Sequence, residues 1–334
     1  MEKTKVAIIG LGGIAQLVHL PNLIKIDNVE VTAVAEVNKN RLNTIADKFN
    51  IKERYKDHTE LLEKSDADTV LIATPTNSHK EVAIACLKAG KDILIEKPLA
   101  RTYQEAKQIF DAAKKYKRKV MVGMNLRFRP DAMILKSLLN AGEIGDPFYI
   151  KCGWLRRQSS SQKWFTKKEE SGGGVIIDLS ILLLDLALWL LDFPAVESVV
   201  TQNYFQNTKT VEDTSISFLR CENSSCINIE SSWSLSLDKD SFYFEVYGTK
   251  GSASLNPFHV YKKIEEHVID LSPSQSENAV SLFKKSYTNE LKSFIGAING
   301  LTPVFSSAEE SLSRMKVIDA MYKSSSLKKE IKIL

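Results

Sequence analysis

Lys97 follows a short apolar run, Ile93-Leu94-Ile95, and stands between Glu96 and Pro98. Lysine is rarely buried without a partner, so an ammonium where a core strand emerges is a candidate for proton handling or charge stabilisation. Pro98 biases Lys97 towards extended backbone and is itself a candidate for a cis peptide bond. A solvated lysine at a strand exit is the competing reading. Gly10-Leu11-Gly12-Gly13-Ile14-Ala15 has the G-x-G-x-x-A pattern of a turn that sets backbone amides against a pyrophosphate. Gly10 permits the tight turn, Gly12 lets the backbone approach the phosphates, and Ala15 allows close helix–strand packing. Glu36 lies 21 residues beyond Ala15, close to the ~20 expected of the acid that binds the adenine ribose hydroxyls. A carboxylate there repels a 2′-phosphate and favours NAD, while Arg41 keeps NADP as the second choice. Asp178, Leu182 and Asp185 share one helix face at i, i+4 and i+7.

The elements around these residues read as alternating strands and helices. Lys5–Ile9 is a buried first strand, and a helical pattern runs from the glycine turn to about Lys25. Val29–Ala35 is a second strand that ends at Glu36. Thr69–Ala73 is a third, after which Thr74-Pro75-Thr76-Asn77-Ser78-His79 turns into a helix closed by Gly90. Thr74, Pro75, Thr76 and Asn77 thus fall at a strand's carboxyl edge, where open α/β sheets bind ligands. Asn77 or Ser78 also suits a helix cap, and His79 reads first as a structural first-turn residue, with a place beside a cofactor as the alternative. A helix over about 102–117 leads to the strand Lys119–Gly123, with Asn125, Arg127 and Arg129 just beyond it. This alternation predicts an α/β chain with a doubly wound parallel sheet.

The second half changes character. Phe148–Trp154 reads as a strand, and Arg156–Ser171 as a long polar loop that contains Trp164 and Phe165. Val175–Leu191 is almost wholly apolar, interrupted by Asp178 and Asp185. It falls short of the ~20 residues that cross a bilayer, so a buried amphipathic helix is expected. Strands follow at 196–200, 214–218, 227–233, 242–247 and 252–255, then helices at about 278–299 and 307–323.

With 334 residues, two domains are expected. Composition is ordinary for a globular protein, at 43% hydrophobic and 26% charged residues, and the net charge of +4 is scattered. This gives no case for a nucleic acid or membrane partner. Cys86, Cys152, Cys221 and Cys226 form no C-x-x-C pair and have no histidines at zinc-ligand spacing, so no metal is expected. The first residues lack signal-peptide architecture, and reduced thiols fit the cytoplasm.

In order along the chain, Gly10-x-Gly12-x-x-Ala15, Ala73-Thr74-Pro75-x-x-x-His79, Ala89-Gly90-Lys91, Glu96-Lys97-Pro98-Leu99-Ala100, Arg127-Phe128, Trp164-Phe165 and Gly172-Gly173-Gly174 with Asp178 resemble the GFO/IDH/MocA oxidoreductases. The resemblance covers essentially the whole chain. It implies an N-terminal Rossmann NAD(P)-binding domain over 1–123, with the helix at about 307–323 docking back on it. It also implies a C-terminal α/β domain over 124–306, built on a large, mostly antiparallel open sheet that commonly forms a dimer or tetramer face. By the same resemblance Lys97 lies near the nicotinamide and the substrate hydroxyl, with Glu96 and Asn125 on the cofactor side. Trp164 then reads either as a cover for nicotinamide or substrate, or as an anchor for its loop. Many members carry Asp, His, Asp on the helix that here carries Asp178, Leu182 and Asp185, and the histidine passes a proton to or from the substrate. Leucine has no titratable group.

Two functions therefore compete. One is an NAD-dependent oxidoreductase acting on a secondary alcohol of a sugar, cyclitol or related small polyhydroxy compound. Lys97 and Asp178 are then catalytic, and Arg127, Arg156, Trp164 and Leu182 line the substrate. The other is a nucleotide-binding sensor that has lost turnover, for which Leu182 is the best argument.

Overall fold

A computed structural model describes residues 3–158, 163–274 and 277–333. The chain divides into two compact units, Met1–Met124 with Tyr287–Ser313, and Asn125–Ser286 with Arg314–Leu334.

The first unit is built on six strands: β1 (Thr4–Ile9), β2 (Val29–Ala35), β3 (Glu53–Tyr55), β4 (Thr69–Ile72), β5 (Asp92–Ile95) and β6 (Val120–Val122). All pair in parallel, in the order β3-β2-β1-β4-β5-β6. The chain winds outward from β1 in one direction and returns to build β4, β5 and β6 on its other side. The carboxyl ends of β1 and β4 therefore flank a topological switch point. Strands β4 and β5 are almost wholly buried apolar runs, as a sheet covered on both faces requires. Side-chain caps start the connecting helices. Asn38 accepts from the Arg41 amide, Asp57 from Glu60 and Thr102 from Glu105. The expected doubly wound sheet is present.

The second unit carries nine strands: β7 (Pro147–Leu155), β8 (Val196–Tyr204), β9 (Thr214–Cys221), β10 (Cys226–Ser232), β11 (Ser241–Gly248), β12 (Gly251–Leu255), β13 (His259–Ile264), β14 (His267–Asp270) and β15 (Ile331–Lys332). Their order is β14-β13-β12-β11-β7-β10-β9-β8-β15. Only β7 and β10 are parallel neighbours, so the mostly antiparallel sheet is also as expected. Ile150, Cys152, Ile227, Ile229, Phe244 and Val246 alternate inward and are fully buried. A helical stretch from Ile176 to Leu190 packs against β7 and β10. The opposite parity leaves Val200, Tyr204, Ile216 and Tyr261 exposed and stacks Tyr149 on Tyr247 with ring centres 5.5 Å apart.

Two sequence expectations change. The apolar helix is not amphipathic: every residue of Ile181–Leu188, Asp185 included, is buried. By length and composition Lys168–Leu190 could cross a membrane, yet 89% of its most apolar window is buried within the protein. The last helix, Ala308–Leu327, does not belong wholly to the first unit. From Arg314 onward it groups with the second, where Arg314 meets Asp185 and the Tyr322 hydroxyl meets Glu212.

Candidate active site

The glycine turn sits at the carboxyl end of β1. Gly10 has φ +91°, the left-handed region that glycine alone enters without cost. A Cβ there would stand 2.7 Å from the Ala73 carbonyl oxygen at the end of β4, so glycine is required twice over. Around Gly12, by contrast, nothing lies within 4 Å of where a Cβ would be. That is the open approach a pyrophosphate needs. Ala15 is fully buried under the turn, and Gly13 and Ile14 beside it are half-buried. The Glu36 carboxylate leaves β2 and reaches back to this turn. Its Oε2 accepts from the Leu11 amide at 3.0 Å, and its Oε1 from the Asn38 amide at 2.9 Å. Arg41 Nη1 stands 3.4 Å from Oε2. Next to Glu36, Val37 is 85% exposed, an apolar side chain held in solvent beside the turn.

The second strand end carries Glu96, Lys97 and Pro98, and the Lys97–Pro98 bond is cis. Lys97 is half-buried. Glu96 is held on one side by His19, whose Nε2 is 2.6 Å from its Oε1. On the other side its Oε2 accepts from the Lys97 amide at 3.2 Å. Burial pushes the Glu96 carboxyl up, but the His19 ring, and then the Lys97 charge and amide, outweigh it and hold the group below the usual range. His79 ties two strand ends together. Its Nδ1 lies 2.9 Å from the Pro98 carbonyl and its Nε2 2.9 Å from the Thr74 carbonyl. The ring is 1% exposed, and burial pushes its pKa down. It therefore holds backbone, beneath the turn that presents Thr74, Pro75, Thr76 and Asn77. Of these, Pro75 and Asn77 are exposed, Thr74 is half-buried and Thr76 is buried. Thus the glycine turn, Glu36, the Thr74 turn and Lys97 all lie at carboxyl ends of one parallel sheet.

In the second unit, Asp178 lies within Ile176–Ser180, a π-helical turn; such turns are frequent at functional sites. From Gly173 to Leu188 it is the only residue not fully buried. Trp233 Nε1 donates to its Oδ2 at 3.2 Å. Leu182, one turn on, is 5% exposed. Asp185 is fully buried between two arginines. Arg127 binds it through Nε at 2.7 Å and Nη2 at 2.6 Å, and Arg314 Nη1 approaches at 2.6 Å.

The other candidates scatter. Arg127, expected near a substrate, is 2% exposed and holds Asp185 in the core. Asn125, expected beside the cofactor, is buried and donates to Ser286 at 3.0 Å. Arg156 keeps an open side chain 3.7 Å from Asp240. Trp164 packs on Phe165 at 4.0 Å between ring centres. Ser159–Gln162, also in that loop, lie outside the described residues. No cluster of three or more His, Cys, Asp or Glu side chains able to hold a metal occurs among the described residues.

Sequence reading missed His19, Glu212, Trp233 and Arg314. One signal for Glu212 was available in Gly172-Gly173-Gly174: a Cβ on Gly173 would strike the Tyr322 hydroxyl, and one on Gly174 the Glu212 carbonyl.

Residues 4–124 match the GFO/IDH/MocA oxidoreductase family's NAD-binding Rossmann fold, and residues 136–333 match its C-terminal α/β domain. The D-glucoside 3-dehydrogenase of Escherichia coli K12 is 25% identical over 96% of this chain and 95% of its own. The scyllo-inositol 2-dehydrogenase (NAD(+)) of Bacillus subtilis 168 is 29% identical over 91% of this chain and 89% of its own. Levoglucosan dehydrogenase, solved with NADH and L-sorbose, shares the fold with a TM-score of 0.91 at 22% identity, each chain covered completely.

Proposed function

Because the chain belongs to the GFO/IDH/MocA oxidoreductases, with their NAD-binding Rossmann domain, we propose that it interconverts a secondary alcohol and a ketone on a sugar, cyclitol or related polyol. The carrying observation is the shared sheet edge. A glycine turn open above Gly12, the carboxylate of Glu36 and the ammonium of Lys97 all stand at strand carboxyl ends. The names of the relatives, a glucoside and an inositol dehydrogenase, support the substrate class.

The residues fit a dinucleotide. The backbone at Gly10–Ala15 would cradle the pyrophosphate, Glu36 would receive the ribose hydroxyls, Val37 would lie on the adenosine side, and Thr74–Asn77 would border the nicotinamide half. When bound, NAD supplies the hydride acceptor or donor. Lys97 holds the substrate hydroxyl and takes or returns its proton. Asp178 serves the substrate as base or as the group that orients it. Arg156 and Trp164 contact its polar periphery. Leu182 takes no part in proton transfer.

The apolar and aromatic open face of the second sheet is the proposed contact of a homodimer or homotetramer, which light scattering in solution checks. The proposed compartment is the cytoplasm.

Leu182 favours a second reading, a nucleotide-binding regulator without turnover. The test is absorbance of reduced nicotinamide on mixing the protein with NAD and a panel of polyols, and its decay with NADH and ketoses. Turnover on any of them supports the dehydrogenase. Tight NADH binding with no turnover in either direction supports the regulator.

A further inference from the structure

We propose that Trp233 is the positioning residue for Asp178, holding its carboxylate through one oxygen; this rests on the reading that Asp178 serves the substrate.

Indole Nε1–H donates and never accepts. Its contact with Asp178 Oδ2 at 3.2 Å therefore fixes the rotamer of the carboxyl group. The ring itself is 2% exposed and packs with Val175, Leu179 and Val211, with Trp154 against the same cluster. Val175 and Leu179 flank Asp178 on its own helical stretch, so the segment that carries the acid also clamps the donor.

The two backbones share one frame. The Val175 amide donates to the Glu212 carbonyl at 2.9 Å, and the Trp233 amide to the Asp213 carbonyl at 2.8 Å. Adjacent carbonyls thus set acid and indole relative to each other. The Glu212 side chain fixes the helix start: its Oε1 accepts from the Gly174 amide at 2.9 Å, the Ile176 amide at 3.0 Å and the Tyr322 hydroxyl at 2.9 Å.

Two measurements on the intact protein test this. In spectra of 15N-tryptophan-labelled protein, D178N should move one of the four indole N–H resonances, and W233F should delete that same resonance. In turnover with NAD and the accepted polyol, W233F should lower kcat about tenfold and leave the affinity for NADH within twofold. In the D178N background, W233F should change kcat less than twofold. An indole spectrum in which D178N moves no resonance overturns the proposal, and it needs neither turnover nor a folded W233F protein. Equal losses from W233F in both backgrounds, with D178N itself impaired, also overturn it. Full turnover in D178N would instead overturn the reading of Asp178 as a substrate-serving group, and the proposal with it.

Discussion

The two units hold their candidate site residues by different means. In the first, Lys97, the glycine turn and Glu36 lie where parallel strands end, and backbone carries most of the precision. The Gly10 conformation, the His79 contacts with two carbonyls and the Leu11 amide on Glu36 are all main-chain constraints. In the second, Asp178 sits inside a helical stretch whose start is fixed by a buried carboxylate and whose core holds a buried ion cluster. The strand-end site leaves no room for an added atom on Gly10. A site on a buried helix tolerates neither lost charges nor lost donors.

The comparison is tested most severely at Asp185. Asp185→Ala leaves the Arg127 and Arg314 guanidiniums buried beside each other without their shared carboxylate. Breaking a buried pair costs about 3–5 kcal/mol, so urea unfolding should show a loss of that size. A loss near zero would place the stability of this unit elsewhere. Gly10→Ala is the matching test in the first unit. Its left-handed backbone alone costs about 1–2 kcal/mol for a side chain, and the Ala73 carbonyl must also move. NADH affinity, read by fluorescence titration, should fall more than tenfold. A smaller effect is expected from Glu36→Gln: roughly tenfold weaker NADH binding, from loss of charge on a hydrogen-bond acceptor. Discrimination against NADPH should narrow as well, and an unaltered NADH/NADPH ratio would remove Glu36 from the cofactor site.

The smallest effect is one of pH. Burial pushes the Glu212 carboxyl up, against the opposing pull of backbone amides and the Tyr322 hydroxyl. A carboxyl raised on folding favours its protonated form. Its contribution to stability is full below the ordinary carboxylate range and is lost as pH rises through the raised value. Glu212→Gln carries no such titration. The melting temperature of the variant minus that of the parent should therefore increase from pH 4 to pH 8, and a decrease would contradict the sign.

Legibility in the sequence follows the same divide. Gly10, Gly12, Ala15, Glu36 and Lys97 were readable because a strand–turn–helix unit sets their spacing locally. The parallel sheet followed from the alternation of short apolar runs and helical patterns. In the second unit, Asp178 was visible as a charge in an apolar run, but its partners were not: Trp233 lies 55 residues away and Tyr322 is 110 from Glu212. Only the packing of helical segments against chain that flanks the sheet strands brings such residues together. Arg127 was misread for a related reason. An arginine after a strand looks solvent-facing until a buried carboxylate 58 residues later is found on its guanidinium. The helix Ile181–Leu190 was expected to show a polar face because Asp185 interrupts it; two arginines neutralise that charge inside the core.

The central claim is that Lys97 performs chemistry beside a nucleotide bound elsewhere on the same sheet edge. Parallel titration of NADH into the parent and Lys97→Ala proteins, followed by turnover of the accepted polyol, separates the two roles. The account predicts NADH affinities within about threefold and a loss of kcat of at least about 10²-fold. Retained turnover in Lys97→Ala, or no affinity of the parent for either coenzyme, would contradict it.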